Sequence, residues 1–170
     1  NTKNLEILTT YIANVDSIIG DFGIKLEING PRDKLIRNGY LISKNATIYS
    51  TQLDDPIYNV DSQAELIANK FKWKSFVGSM VKNPADKQNQ NISISGSMDM
   101  TQFFKPIYDL NIKGEEIYFR TLLGDFEGIV NVDLSLTGRD TIEIAGMIEP
   151  VDAVMYQEFV SDSDVEVVDE

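Results

Sequence analysis

The sequence predicts an all-β chain: an elongated antiparallel or mixed sheet that curls around an apolar interior. Three observations predict it. Val130, Val132, Leu134 and Leu136 alternate with Asn131, Asp133, Ser135 and Thr137, the period of a strand with one apolar and one polar face. An apolar-x-apolar-x-Gly unit recurs at Leu26-Ile28-Gly30, Ile92-Ile94-Gly96, Leu110-Ile112-Gly114, Leu134-Leu136-Gly138 and Ile142-Ile144-Gly146. Turn residues punctuate the runs, as at Gly30-Pro31, Asp54-Asp55-Pro56 and Gly138-Arg139-Asp140.

Taken in order, Asn4–Ile19 fits both a helical stripe and alternation, and its Thr9-Thr10-Tyr11-Ile12 content favours strand. Ile24, Leu26 and Ile28 form the next strand. Asn38-Gly39 offers a turn or bulge before Tyr40–Lys44, and Asn45 separates that strand from Ala46–Thr51. Tyr58–Ala68 and Phe71–Met80 read as a longer hairpin turning at Asn69-Lys70. The polar Val81–Asn91 stretch reads as the most flexible loop. Ile92, Ile94, Gly96, Met98 and Met100 line one face against Ser93, Ser95, Ser97 and Asp99; Leu110 and Ile112 alternate again, and Ile117–Leu122 is the next strand. Thr121–Pro150 is a hairpin, Val151–Val160 is strand or short helix, and Ser161–Glu170 is an acidic, disordered tail beyond a single sheet section over residues 1–160. Ser17-Ile-Ile-Gly-Asp-Phe-Gly-Ile24 returns as Thr121-Leu-Leu-Gly-Asp-Phe-Glu-Gly-Ile129, which suggests an internal duplication.

Of 170 residues, 15 are Lys or Arg and 27 Asp or Glu, for a net charge of −12. That surface repels nucleic acid and anionic membrane faces, and no basic cluster argues otherwise. Cysteine and histidine are absent, which removes the commonest general base and most zinc and iron ligand sets. No cofactor or metal is expected, and no nucleophile, base and orienting group assemble into an enzyme site. Asp21-Phe22-Gly23 spells a kinase motif without its companions, and reads as a turn before a strand. Asp162-Ser-Asp164-Val-Glu166 lacks the glycine of a calcium loop, and Asp54-Asp55 before Pro56 reads as a turn. Asn45-Ala-Thr47 and Asn91-Ile-Ser93 match the glycosylation triplet, which is frequent by chance. Phe71, Trp73 and Phe76 read as an apolar face, with Lys70, Lys72 and Lys74 guarding the other side.

Each strand buries one face, and no set of amphipathic helices exists to cover it. Two solutions remain open: two halves of the sheet pack into a dry sandwich, or the sheet curls without closing and keeps an apolar trough. About eleven strands at ~4.8 Å would span ~50 Å, and acyl chains would fill such a trough well, at about 0.8 kcal/mol per buried methylene.

Ile28-Asn-Gly-Pro-Arg32, Arg37-Asn-Gly-Tyr-Leu-Ile-Ser-Lys-Asn-Ala-Thr-Ile48, Pro56-Ile-Tyr58, Ile92-Ser-Ile-Ser-Gly-Ser-Met98, Asp109-Leu-Asn-Ile112 and Asp133-Leu-Ser-Leu-Thr-Gly138 follow one another in an order that resembles the C-terminal repeats of TamB-type translocation and assembly module proteins, of the AsmA-like superfamily. The resemblance implies a U-shaped β-taco sheet in the periplasm of a diderm bacterium, within a longer protein anchored in the inner membrane outside this segment. It implies a carrier of phospholipid acyl chains between the inner and outer membranes, or an assembly scaffold for outer-membrane proteins acting with TamA, a BamA-like partner. A plain β-sandwich spacer is the remaining alternative. The family has no catalytic residues to transfer; the inward alternation selects Leu26, Ile28, Ile92, Ile94, Leu110, Ile112, Val130, Val132, Leu134, Leu136, Ile142 and Ile144 as groove lining.

Overall fold

The computed structural model describes residues 2–4, 15–51, 53–120 and 126–156. Eight strands of eight to fifteen residues follow one another: β2 (Val15–Asn29), β3 (Ile36–Ser50), β4 (Ile57–Ile67), β5 (Lys70–Ser79), β6 (Ile92–Asp99), β7 (Ile107–Arg120), β8 (Phe126–Gly138) and β9 (Ile142–Met155). A three-residue strand, β1 (Thr2–Asn4), pairs with β2. Strand order in the sheet is strand order in the sequence, and every pairing is antiparallel. The expectation of an all-β antiparallel sheet therefore holds; among the described residues there is no parallel pairing, and nine strands stand where about eleven were expected. The sheet is one layer, neither closed nor strongly curled, so neither a two-layer sandwich nor a deep U forms among the described residues.

Several expected breaks lie inside strands because bulges absorb them. Asn45, with φ 49°, interrupts the alternation of β3 without ending it. Asparagine tolerates this left-handed conformation, and the Asn45 N–H is satisfied by Asp61 Oδ1 at 3.0 Å. A matching bulge in β7 places Glu116 at φ 49° with its N–H on Asn131 Oδ1 at 2.9 Å. The two pieces read separately around Leu110 and Ile117 are thus one strand. Asn38-Gly39 lies within β3, and Asp21-Phe22-Gly23 lies within β2 rather than in a turn. Residues 151–155 continue β9 as strand. The second copy of the suggested duplication lies partly outside the described residues, as do most of Asn4–Ile19 and the whole acidic tail.

The Val81–Asn91 segment, expected as a flexible loop, is pinned along its length. Pro84–Asp86 forms a 3₁₀ turn capped by the Asn83 side chain, and Ser79 Oγ donates to the Lys87 carbonyl at 2.6 Å. Asn91 acts as a substitute peptide unit: Oδ1 accepts from the Met80 N–H at 2.9 Å, and Nδ2 donates to the Met80 and Glu116 carbonyls at 3.2 and 3.1 Å. Beyond the start of β6, the Tyr118 N–H reaches the Met80 carbonyl directly. The sheet narrows there.

The core follows from that narrowing. Met80, Ile92, Ile117 and Val130 form one buried cluster, joined by Leu53, Ile57, Phe119 and Phe126. Phe22, Ala46 and Val60 form a second, and Ile57 packs against both. Ion pairs from Arg120 to Asp54 (2.6 Å) and Asp55 (3.4 Å) hold the β3–β4 connection to this end of β7. The expected turn at Asp54-Asp55 is thereby also an anchor.

Candidate functional site: an uncovered apolar face

The register fixes which side chains share a face, because directly opposed residues project to the same side. Leu26, Gly39, Leu66, Phe71, Met98, Tyr108, Gly138 and Ile142 form one unbroken row across all eight strands. Ile24, Leu41, Ala64, Trp73, Gly96, Leu110, Leu136 and Ile144 form the next. Beyond them lie Ile94, Ile112, Leu134 and Gly146, then Ile92, Gly114, Val132 and Ile148, then Ile117, Val130 and Pro150. Ile28 precedes the first row beside Leu26. All twelve residues selected from the sequence therefore occupy one face of one sheet.

The opposite face is its polar complement. Lys25, Tyr40, Glu65, Lys72, Ser97, Asp109, Thr137 and Glu143 are a matching row there. Lys25–Glu27 (2.7 Å) and Lys113–Asp133 (3.0 Å) pair within this side, as do Lys74 and Glu65. The lysines interleaved with Phe71 and Trp73 fall on this side, as their alternation implies. An open hollow beneath Gln90, bordered by Lys113, Glu116, Asn131 and Asp133, mixes both signs of charge.

Burial across the apolar face is graded. Val130 and Leu110 are 2% and 9% exposed, whereas Leu26 and Ile144 on the flanking strands are 51% and 65% exposed. Neighbouring side chains on the same face shield the middle, and nothing among the described residues lies over the flanks. Glycines interrupt the apolar rows where the backbones crowd. A Cβ at Gly96, whose φ is +117°, would sit 2.2 Å from the Asp109 carbonyl oxygen. Trp73 stands directly opposite, the arrangement in which an aromatic ring covers a glycine's backbone across a strand pair.

The two ends of the sheet differ in chemistry. At the narrowed end, the Tyr118 hydroxyl donates to Glu127 Oε1 at 2.9 Å, and Lys82 meets the same oxygen at 2.7 Å. Burial, then the Glu127 carboxylate, pushes the Tyr118 hydroxyl above its ordinary pKa, and Lys82 followed by Tyr118 holds Glu127 below the usual carboxylate range. At the other end, Asn69 locks three connections. Its Oδ1 accepts from the Arg37 N–H at 2.9 Å, its Nδ2 donates to the Leu35 carbonyl at 3.0 Å, and its own carbonyl accepts from Met100 N–H at 2.7 Å. The hairpin turn at Asn69 is legible in the sequence and is found, but its joint with Arg37 is not, because nothing in a turn-like Asn-Lys or a lone Arg marks a contact between distant hairpins.

Among the described residues no three potential metal ligands gather, and no helix is long and apolar enough to cross a membrane. No protein-family model, no curated protein and no solved structure matches the chain.

Proposed function

We propose that the apolar face binds the acyl chains of lipids, and that the chain is a section of a longer carrier of the TamB type that passes phospholipid between the two membranes of a bacterial envelope. The observation that carries this reading is an apolar face spanning eight strands with no second layer over it among the described residues. Its lining is repetitive Ile, Leu, Val and Met, which suits a ligand that slides rather than one that docks. The glycine gaps let an acyl chain approach the backbone between larger side chains. In the proposed longer protein, further strands would continue the sheet at its open edges, deepen the face into a trough and leave headgroups at its rim.

The test is native mass spectrometry of the purified chain together with lipid extraction from the same sample. Near-stoichiometric phospholipid that is lost in Leu134→Arg is the expected result. A lipid-free, monodisperse and stable protein would overturn it.

One observation favours a second reading. β9 presents fourteen residues along an edge that no other described strand pairs with, every one of them exposed. Such an edge accepts an added strand through main-chain hydrogen bonds, as an assembly scaffold working with a BamA-like outer-membrane partner would require. Leu134→Arg should leave that capture intact.

A further inference from the structure

The turn end of the apolar face carries one cation that the apolar pattern does not explain. Arg37 lies opposite Ile28 in the register, and Gly39 and Leu41 follow it on the same face. Its Nη1 donates to Asn69 Oδ1 at 3.2 Å and to the Met100 carbonyl at 3.4 Å, and its guanidinium carbon lies 5.3 Å from the centre of the Phe103 ring. Every one of these partners is neutral. No carboxylate pairs with Arg37 among the described residues, and its Nε and Nη2 make no hydrogen bond among them. Arg120 holds two aspartates, whereas Arg37, like the part-buried Arg139, has no carboxylate partner among the described residues; Arg37 alone of the two lies on the apolar face.

Its orientation is fixed, not loose. Asn69 grips the Arg37 backbone and side chain together, Phe103 stacks beneath the guanidinium, and Phe104 sits edge-on to Phe103 at 5.2 Å while itself 80% exposed. A guanidinium presents a rigid fork that matches phosphate oxygens, and exposed aromatic rings beside it suit the boundary between headgroup and acyl chain. Gly39, next on the same face, puts no side chain between Leu26 and Leu66, and it stays glycine because a Cβ there would lie 2.0 Å from the Lys25 carbonyl oxygen.

We propose that Arg37 receives the phosphate of an anionic phospholipid whose acyl chain enters the apolar face past Gly39. The site makes the turn end a headgroup station and gives the otherwise uniform face a polarity. The proposal rests on the acyl-binding reading above and adds the headgroup chemistry to it.

Trp73 is the only tryptophan and stands on the same face, so it reports on chain entry. The full chain is titrated with lysophosphatidylglycerol bearing a dibrominated acyl chain, below its micelle concentration, and with the uncharged monoacylglycerol of the same chain. Bromine quenching of Trp73 by both is expected, with half-saturation about tenfold lower for the phosphate lipid, a difference of about 1.4 kcal/mol. Arg37→Gln should erase the difference while leaving the uncharged lipid's affinity unchanged, and Arg37→Lys should restore part of it. Equal quenching by the two lipids, or an advantage that survives Arg37→Gln, overturns the headgroup site alone; no quenching by either overturns the acyl-binding reading beneath it. Should Arg37→Gln fail to fold, phenylglyoxal labelling of the native protein decides. Protection of Arg37 by the phosphate lipid and not by the uncharged one supports the site, and equal labelling overturns it.

Discussion

Strands β7 and β9 carry the same written pattern and meet different fates. Leu110-Ile112-Gly114 and Ile142-Ile144-Gly146 put their apolar residues on the same face, separated only by β8. Yet Leu110 is 9% exposed and Ile144 65% exposed. β7 has a strand on each side and runs into the Met80–Ile117–Val130 cluster, while β9 has a neighbour on one side only among the described residues. Alternation thus decides which face a side chain joins, and lateral position in the sheet decides how much water it loses. A lipid or a further strand would act on β9 and leave β7 as it is.

The largest effect should follow that division. Ile117→Ala leaves a cavity in the buried cluster and should cost about 2–5 kcal/mol, whereas Ile144→Ala should stay within about 0.5 kcal/mol, as exposed substitutions do. Urea denaturation followed by Trp73 fluorescence measures both. If Ile144→Ala proves as costly as Ile117→Ala, β9 is covered in solution and the contrast between the two strands fails.

Glycines sharpen the same point at the backbone. Gly96 has φ +117° and no room for a Cβ, whereas Gly23, in the flanking β2, has nothing within 4 Å of that position. Gly96→Ala should destabilise by about 1–3 kcal/mol through strain. Gly23→Ala should be neutral or stabilise by about 0.4–1 kcal/mol, since it restricts the unfolded chain without a clash. Equal losses in thermal melts would show that backbone crowding is not what reserves these positions for glycine.

Much of the sheet was legible because period-2 alternation is a local signal. Ile92 to Met98 and Val130 to Leu136 each announce their face within a few residues, and the register then carries that face across eight strands. What lay hidden is non-local. Asn45 looked like a break because its left-handed backbone interrupts alternation, and only Asp61 on the next strand reveals a bulge. Asn91 looked like loop polarity, yet it replaces a peptide unit between Met80 and Glu116. Curvature was also beyond the pattern, since alternation is the same in a flat sheet and a folded one. The twelve lining residues were readable as a face, but Arg37 was not readable as part of it, because one cation in a strand ordinarily marks the solvent side.

The smallest effect compares two carboxylates through pH, Glu127 part-buried and Glu27 exposed. At the narrowed end Glu127 is held below the usual range by Lys82 and then by Tyr118, while on the flank Glu27 is lowered by Lys25 alone. A carboxylate depressed in the folded state stabilises above its unfolded pKa of about 4.3, and that contribution is lost as pH falls through the folded value. Tyr118 runs the other way: its raised hydroxyl supports the fold below about pH 10 and ceases to do so as pH rises through the folded value. Melting temperatures from pH 6 to 3 should therefore fall less steeply in Glu127→Gln than in the wild type, with a smaller change of slope in Glu27→Gln. Both changes should shrink in high salt, because exposed pairs are screened. An unchanged acid limb in Glu127→Gln would mean that the Tyr118–Glu127–Lys82 contact adds nothing to the fold, and that the narrowed end is held by Ile117, Val130 and their apolar neighbours alone.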